Sequence, residues 1–502
     1  MATRSRKGCI DCKRAKVKCD EVHPSCGTCA RRRRQCSGYG RSPSASAGSV
    51  PRRASVTSRT SIPSPCSSME DEVATDADVV DRTSTADYMR SMILEASTRA
   101  PPALSPVRGP SLIPLGEILA ADKPFIEVYF MRHPAEMVMS NELFVHEMNG
   151  AVISLLQQSP TAVGDALAAI GENYVKEAVD SALVSNRKMR LLSRLRMINE
   201  GGNSPELVLM LLLALCGVEL VDPRSDGGGT TLSTLIDNVS MILAFHTREG
   251  QELNGMAKYF ARGVARQDLL ISLSRMQRTK IEPSVWLDEY SMCHADRLMG
   301  LTTTLAPILS RLAALAEDVQ SIVDNSYYIA DGESMFLESD DGPAWRSDLV
   351  EREASIRAQL VAWRPIRDCS MSMDMSRKLL LHAYSWKAAS LLYLFRLFNR
   401  PGSSADADTE ALSMAYEVVV HISGSPEDIK LSLWPLFIAA CELENHEDRS
   451  HATRLFDGIC YARPTVTARR TRAFCIDQIW AARDSGGNWD WMDLARNGPV
   501  PL

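Results

Sequence analysis

Six cysteines, Cys9, Cys12, Cys19, Cys26, Cys29 and Cys36, repeat one pattern: C-x2-C-x6-C, a six-residue spacer, then C-x2-C-x6-C again. A structural zinc ion takes four tetrahedral ligands, and Cys-x2-Cys is the spacing at which two thiolates grip one ion. Two ions need eight ligand places and the segment has six sulfurs; the deficit vanishes if two sulfurs each bridge both metals. The repeat makes Cys9 equivalent to Cys26, Cys12 to Cys29 and Cys19 to Cys36. The bridging pair is therefore expected to be one of these three, and spacing does not choose among them.

The frame that positions these sulfurs cannot come from a hydrophobic core. Between Cys9 and Cys36 the large apolar side chains are Ile10, Val17 and Val22, too few to support a fold. Metal has to hold the unit together, and binding energies of about 10–16 kcal/mol in small structural zinc peptides imply an unfolded metal-free segment. A disulfide scaffold is the competing reading. The start MATRSRKGC has no apolar h-region, so the expectation is a chain without a secretory signal, in a reducing compartment that disfavours disulfides.

With this spacing the segment resembles the fungal Zn2Cys6 binuclear zinc cluster transcription factors. In that family the first and fourth cysteines bridge, which by resemblance gives that role to Cys9 and Cys26. The family proline two residues before the fourth cysteine is Pro24 here. The resemblance implies two structural zinc ions and a nuclear, DNA-binding protein.

Residues 1–41 hold twelve Lys or Arg against three acids, a formal +9, while the whole chain is −6; the remaining residues therefore carry −15. Six thiolates and two zinc ions lower the head to about +7. Charge is segregated into a polyanion-binding head and an acidic body. Lys13-Arg14-Ala15-Lys16-Val17-Lys18 and Ala30-Arg31-Arg32-Arg33-Arg34-Gln35 fill the two x6 spacers. Both have the residues of short helices, which zinc would clamp at each end, as in modules that set a helix in the major groove. Lys and Arg donate there to guanine O6 and N7, and the remaining positive charge neutralises phosphates. In the family the helix after the second cysteine reads a CGG-type triplet. That carries base reading to Lys16, with Lys13, Arg14 and Lys18 as backbone or neighbouring contacts. Ala15 departs from the basic residue that relatives often place there.

From Ser42 to about Pro114 the chain is rich in Ser, Pro, Arg and Thr, then acidic. Such a composition cannot bury enough surface to offset chain entropy, so 42–114 is expected to be a disordered tether. One amphipathic segment, Tyr88 to Ala96, is a candidate for a transient helix. Many relatives follow the cluster with a dimerising coiled coil, but no a/d apolar repeat runs through 37–110; homodimer formation would have to come from elsewhere. Arg52-Arg53-Ala54-Ser55 has the form of a basophilic kinase site, which marks Ser55 as a candidate for phosphorylation.

Residues 115–502 read as helical nearly throughout, giving an all-α body. Ser204-Pro205 is an N-cap with proline at the first helical position, opening the apolar run Leu207 to Val218. That run is too short to span a membrane and is expected to be a buried core helix. A second helix is predicted from about Ser376 to Phe398, with an apolar stripe of Leu380, Tyr384, Ala388, Leu391, Phe395 and Phe398. Trp434-Pro435-Leu436-Phe437-Ile438-Ala439-Ala440-Cys441-Glu442, Glu447-Asp448-Arg449 and Trp489-Asp490-Trp491 resemble the regulatory, or middle-homology, domain of fungal-specific transcription factors, with Ala440 where Gly is more usual. The resemblance implies a helical platform that restrains or exposes activation function, senses a metabolite or partner, and meets co-regulators or the transcription machinery.

No catalytic constellation stands out, and an enzyme is not expected. His446-Glu447 is followed by His451, giving HExxxH; imidazoles five residues apart diverge around a helix, whereas metalloprotease chemistry needs i, i+4. Asp226-Gly227-Gly228-Gly229-Thr230 lacks the Lys of a phosphate loop and reads as a turn. Cys66, Cys216, Cys293, Cys369, Cys441, Cys460 and Cys475 are scattered and read as buried or incidental thiols, and the remaining histidines as structural. The sequence therefore points to a DNA-binding regulator of RNA polymerase II transcription, in a metabolic or secondary-metabolite pathway by resemblance. The competing class is a zinc-stabilised protein-interaction module without sequence-specific DNA binding.

Overall fold

Helix starts in the body are written by short polar side chains. The Oδ1 of Asn141, Asn254 and Asn445, the hydroxyls of Ser372 and Thr465, and the Asp490 carboxylate each accept a backbone N–H of the first turn that follows, satisfying donors that a helix leaves unpaired. The computed structural model describes residues 116–139, 141–175, 187–195, 204–222, 230–248, 250, 252–326, 344–424 and 429–501, together with the six clustered cysteines and Thr28. The chain divides into two compact units, Met1–Val79 and Val80–Leu502.

Among the described residues, the α-helices of six or more residues in the second unit are α1 (Lys123–Met137), α2 (Glu142–Gln158), α3 (Pro160–Val175), α4 (Pro205–Val221), α5 (Thr230–Arg248), α6 (Gly255–Arg275), α7 (Ala306–Ser326), α8 (Ala344–Ala362), α9 (Met373–Phe398), α10 (Ala405–Ser423), α11 (Leu433–Glu442), α12 (His446–Ala462), α13 (Val466–Phe474) and α14 (Trp491–Arg496), with shorter ones at Glu289–Cys293 and Ala481–Asp484. Residues 187–195 are also helical. Among the described residues the extended pairing is one isolated bridge, Asp296 with Gly300, so this unit is all-α.

The apolar run after Ser204 forms α4, buried almost all round, because α3, α5 and α6 enclose it. Ser204 occupies the N-cap place with extended backbone, but its side chain makes no cap hydrogen bond; Pro205 alone supplies the expected start signal. Among the described residues no helix is long and apolar enough to cross a membrane. Helices α1 and α3 approach so closely that a Cβ at Gly171 would lie 1.9 Å from the Phe125 carbonyl oxygen; only glycine fits there. Gly300 closes the turn from Asp296 at φ +56°, a conformation that L side chains resist.

Helix α9 starts three residues before the sequence places it, and its core face differs from the expected stripe. Ala388 and Phe395 of that stripe are buried, but Leu380 is exposed, and Tyr384, Leu391 and Phe398 are half-buried. A different line, Leu379, Ala383, Trp386, Ala389, Tyr393 and Leu397, is buried throughout, about 150° around the helix from that stripe at about 100° per residue. Polar residues on that face conceal it from a hydropathy count. They are satisfied internally: Trp386 Nε1 donates to His382 Nε2 at 3.0 Å, Ser390 Oγ to the Trp386 carbonyl at 2.6 Å, and Tyr393 OH to the Leu273 carbonyl at 2.7 Å. Since α9 packs against α7, α8, α10 and α11, its C-terminal half is buried on nearly every side.

Every residue of α11 is buried, and Trp434 stacks on Trp386 with ring centroids 5.1 Å apart. Helix α13 runs without a break into a π-helical turn, Cys475–Trp480.

Candidate metal centre

The N-terminal sulfurs form two overlapping groups of four. Cys9, Cys12, Cys19 and Cys26 make one and Cys9, Cys26, Cys29 and Cys36 the other, each with its ligand atoms within 4.8 Å of one another. Cys9 and Cys26 belong to both. Sulfur separations of 3.5 Å (Cys9–Cys26), 3.6 Å (Cys12–Cys26) and 3.7 Å (Cys9–Cys29) fit a tetrahedral ion with bonds of about 2.3 Å, whose ligands lie about 3.8 Å apart. They are far from the roughly 2.05 Å of a disulfide, and none of the six cysteines is in a disulfide.

The sequence repeat is also a structural repeat. Backbone N–H groups of Cys12 and Cys29 point to Sγ of Cys9 and Cys26 at 3.4 and 3.2 Å. Those of Cys9 and Cys26 point to Sγ of Cys19 and Cys36, both at 3.4 Å. Cys12 and Cys29 occupy helical turns, so each C-x2-C pair is set by a single turn of backbone. Five of the six side chains are buried and Cys36 is half-buried. Burial raises the thiol pKa of Cys9, Cys12 and Cys26, whereas a coordinated divalent cation deprotonates such thiols outright. The donor set therefore suits a thiolate-binding metal such as zinc. Among the described residues, no other set of three or more His, Cys, Asp or Glu is grouped for a metal.

Lys13, Arg14, Lys16 and Lys18 lie outside the described residues. So do Ser55, the tether 42–114 with its candidate helix at Tyr88 to Ala96, residues 226–229 of the expected turn and Cys66, while Thr230 opens α5. His446 opens α12, and His451 Nε2 lies 2.7 Å from Ser423 Oγ on α10. Cys216, Cys441 and Cys475 are buried, Cys460 is half-buried, and Cys293 and Cys369 are exposed. His133 is buried against Tyr174 OH at 2.9 Å, and burial, aided by the Arg463 charge, lowers its pKa to about 3.

Sequence reasoning missed a buried polar centre that joins the motifs of the C-terminal region. Arg396 of α9 and Glu442 at the end of α11 are both fully buried and form a two-pronged pair, Nε–Oε1 2.9 Å and Nη2–Oε2 2.5 Å. Trp491 Nε1 donates to the same Glu442 Oε1 at 2.7 Å, and Arg396 Nη1 also meets Asp408 of α10 at 2.8 Å. Arg483 donates to the Glu442 carbonyl at 2.8 Å, and Trp480 Nε1 to the Ala440 carbonyl at 2.8 Å. The Arg483 guanidinium lies 4.0 Å from the Trp489 ring centroid. A charged residue closing a wholly apolar run, and an arginine inside Leu394-Phe395-Arg396-Leu397-Phe398, were the signals available. A second such centre joins Arg262 to Asp296 at 2.9 Å, with Arg297 3.6 Å over Tyr259. Burial would raise the Asp296 carboxyl, but Arg262 and Arg297 outweigh it and hold the group below its ordinary value.

Two family descriptions match the chain: "Fungal specific transcription factor domain" over residues 124–499 and "Fungal Zn(2)-Cys(6) binuclear cluster domain" over residues 7–46. Similar curated proteins include a lysine biosynthesis regulatory protein of Saccharomyces cerevisiae, 59% identical over 32 residues, which are 6% of this chain and 4% of the relative. A Zn(2)-C6 fungal-type transcription factor of Gibberella zeae is 64% identical over 28 residues, 6% of each. An uncharacterized transcriptional regulatory protein of Schizosaccharomyces pombe is 40% identical over 63 residues, 12% of each. The matched segments thus span only a small part of these relatives. No solved structure matches. With most of its length matched by the first description and all six clustered cysteines inside the second, the chain belongs to the fungal-specific transcription factors and carries their Zn(2)-Cys(6) zinc-binding cluster.

Proposed function

We propose that this chain is a sequence-specific DNA-binding regulator of RNA polymerase II transcription that acts in the nucleus. The single observation that carries the proposal is the pair of overlapping sulfur tetrads, joined at Cys9 and Cys26. Two bound zinc ions would supply a rigid, structural cross-link and no reactive chemistry. Cys12 and Cys19 would end one six-residue spacer and Cys29 and Cys36 the other, so that Lys and Arg side chains project from a fixed frame. Lys16 donates to guanine O6 and N7 of a CGG-type half-site in the major groove, while Lys13, Arg14 and Lys18 contact phosphates or neighbouring groups. The formal +9 of residues 1–41 supports an affinity that falls steeply with salt.

The helical body serves as the regulatory platform that meets co-regulators or the transcription machinery. Control of a metabolic pathway is part of the proposal. The lysine biosynthesis regulator among the relatives supports it only through the cluster, since that match covers 32 residues.

Selection of bound duplexes from random DNA by the zinc-loaded full chain tests the reading. Enrichment of CGG triplets with salt-sensitive binding is expected. A fully loaded chain that retains no duplex at low salt would overturn the proposal and favour a zinc-stabilised protein-interaction module.

A further inference from the structure

A cleft of about 710 Å³ opens between the C-terminal end of α6, α13 with its π turn, and α14. This is within the roughly 300–1,000 Å³ of small-molecule sites. Arg275 at the end of α6 and Arg470 of α13 both line it, each half-buried. Arg275 Nε is buried without a hydrogen-bond partner, and among the described residues neither guanidinium is paired with a carboxylate. Their neighbours are committed: Arg472 binds Asp457 at 2.7 Å, Arg496 binds Asp324 at 3.0 Å, and Arg483 binds Glu444.

The lining also includes Asp477, which sits in the π turn and has no partner among the described residues. Single π turns inside α-helices are rare and recur at functional sites. Asp493, also on the wall, is engaged by Arg496 at 3.4 Å. Phe474 and Leu494 supply the apolar surface. Guanidinium groups match carboxylates in planar, two-pronged pairs. A phosphate group would bring denser negative charge against Asp477 and Asp493, which favours a carboxylate.

We propose that this cleft binds a small organic acid with a hydrogen-bond donor beside its carboxylate, a hydroxy or amino acid. Arg275 and Arg470 hold the carboxylate, Asp477 accepts from the donor, and the carbon skeleton lies on Phe474 and Leu494. The same walls lead to Trp480 and Trp491, which bind the Ala440 carbonyl and the Glu442 carboxylate. An occupant would therefore brace the segments that hold α11. The site deepens the regulator reading and rests on it for its purpose. Its test reads binding without DNA, so failure here leaves the DNA-binding reading standing.

The experiment is a thermal-shift titration of the zinc-loaded full chain with succinate, malate and aspartate, which share one carbon skeleton, against sodium chloride at matched ionic strength. Malate or aspartate is expected to raise the midpoint saturably and beyond succinate. The Arg275→Gln/Arg470→Gln double variant should bind at least about tenfold more weakly, and Asp477→Asn should narrow the advantage over succinate. Ala473→Trp, which fills the cleft from an exposed wall position, should abolish the response. If neither malate nor aspartate shifts the midpoint beyond the salt control, the proposal is overturned. It is equally overturned if a folded double variant responds as the parent does. Should the double variant not fold, an unchanged response in Ala473→Trp decides against the site.

Discussion

Replacing Glu442 with leucine removes one side chain and strands several partners. Glu442 and Arg396 are both fully buried, so Arg396 would keep only Asp408 and the Asn399 carbonyl as acceptors. Trp491 Nε1 would lose its acceptor altogether. Breaking a buried ion pair from one side costs about 3–5 kcal/mol. An orphaned buried N–H accounts for about 1–3 kcal/mol of that kind of loss. Adding Arg396→Leu removes the stranded charge and leaves chiefly the indole N–H unsatisfied. The double variant should therefore be more stable than the sum of the single losses predicts, with a coupling of roughly 2 kcal/mol. Urea unfolding of the zinc-loaded chain, followed by tryptophan emission, gives the four stabilities of the cycle. A cost below about 1 kcal/mol for Glu442→Leu, or strict additivity in the double variant, would refute a shared buried network.

Three further outcomes follow from other parts of the chain. Cys26→Ala should lose both zinc ions in native mass spectrometry, because both tetrads include Cys26, whereas Cys12→Ala, in one tetrad, should retain one; two ions bound to Cys26→Ala would contradict the sharing. Lys16→Ala should cost about 1–3 kcal/mol of discrimination at a single guanine; a uniform loss across point-mutated sites would reassign it to phosphate. Burial, only partly offset by the N–H groups of Ile281 and Lys280, raises Asp268 from 3.8 to about 6. Between those two values the folded chain holds a proton that the unfolded chain releases, so this residue's contribution to stability grows as pH falls from about 6 to 4 and is lost above pH 6. Asp268→Asn should flatten that part of the stability profile; an unchanged slope would show that the proton sits elsewhere.

The zinc-binding unit was legible because ligand spacing is a local property: C-x2-C-x6-C sets which sulfurs can meet before any tertiary contact forms. The long helices were legible from apolar runs and from proline at a first helical position, as at Pro205, whereas the cap that starts α9, Ser372, was not read. Their inward faces were less so. The stripe proposed for α9 followed apolar residues alone, while the buried face carries His382, Ser385, Ser390, Tyr393 and Arg396, each made compatible with the interior by a partner. Arg396 and Glu442 are 46 residues apart, and no local pattern announces that two charges so distant will neutralise each other. The same holds for Arg275 and Arg470, which share a cleft across nearly two hundred residues.

Glu442 also imposes an order on the making of the molecule. Its carboxylate is completed by Trp491, 49 residues further along the chain and so synthesised after α9, α10 and α11. Until then α9, α10 and α11 can gather around Arg396, yet the indole that closes their interior is missing. A messenger stopped short of the Trp491 codon would release these helices with an open seam, a ready client for proteolytic clearance.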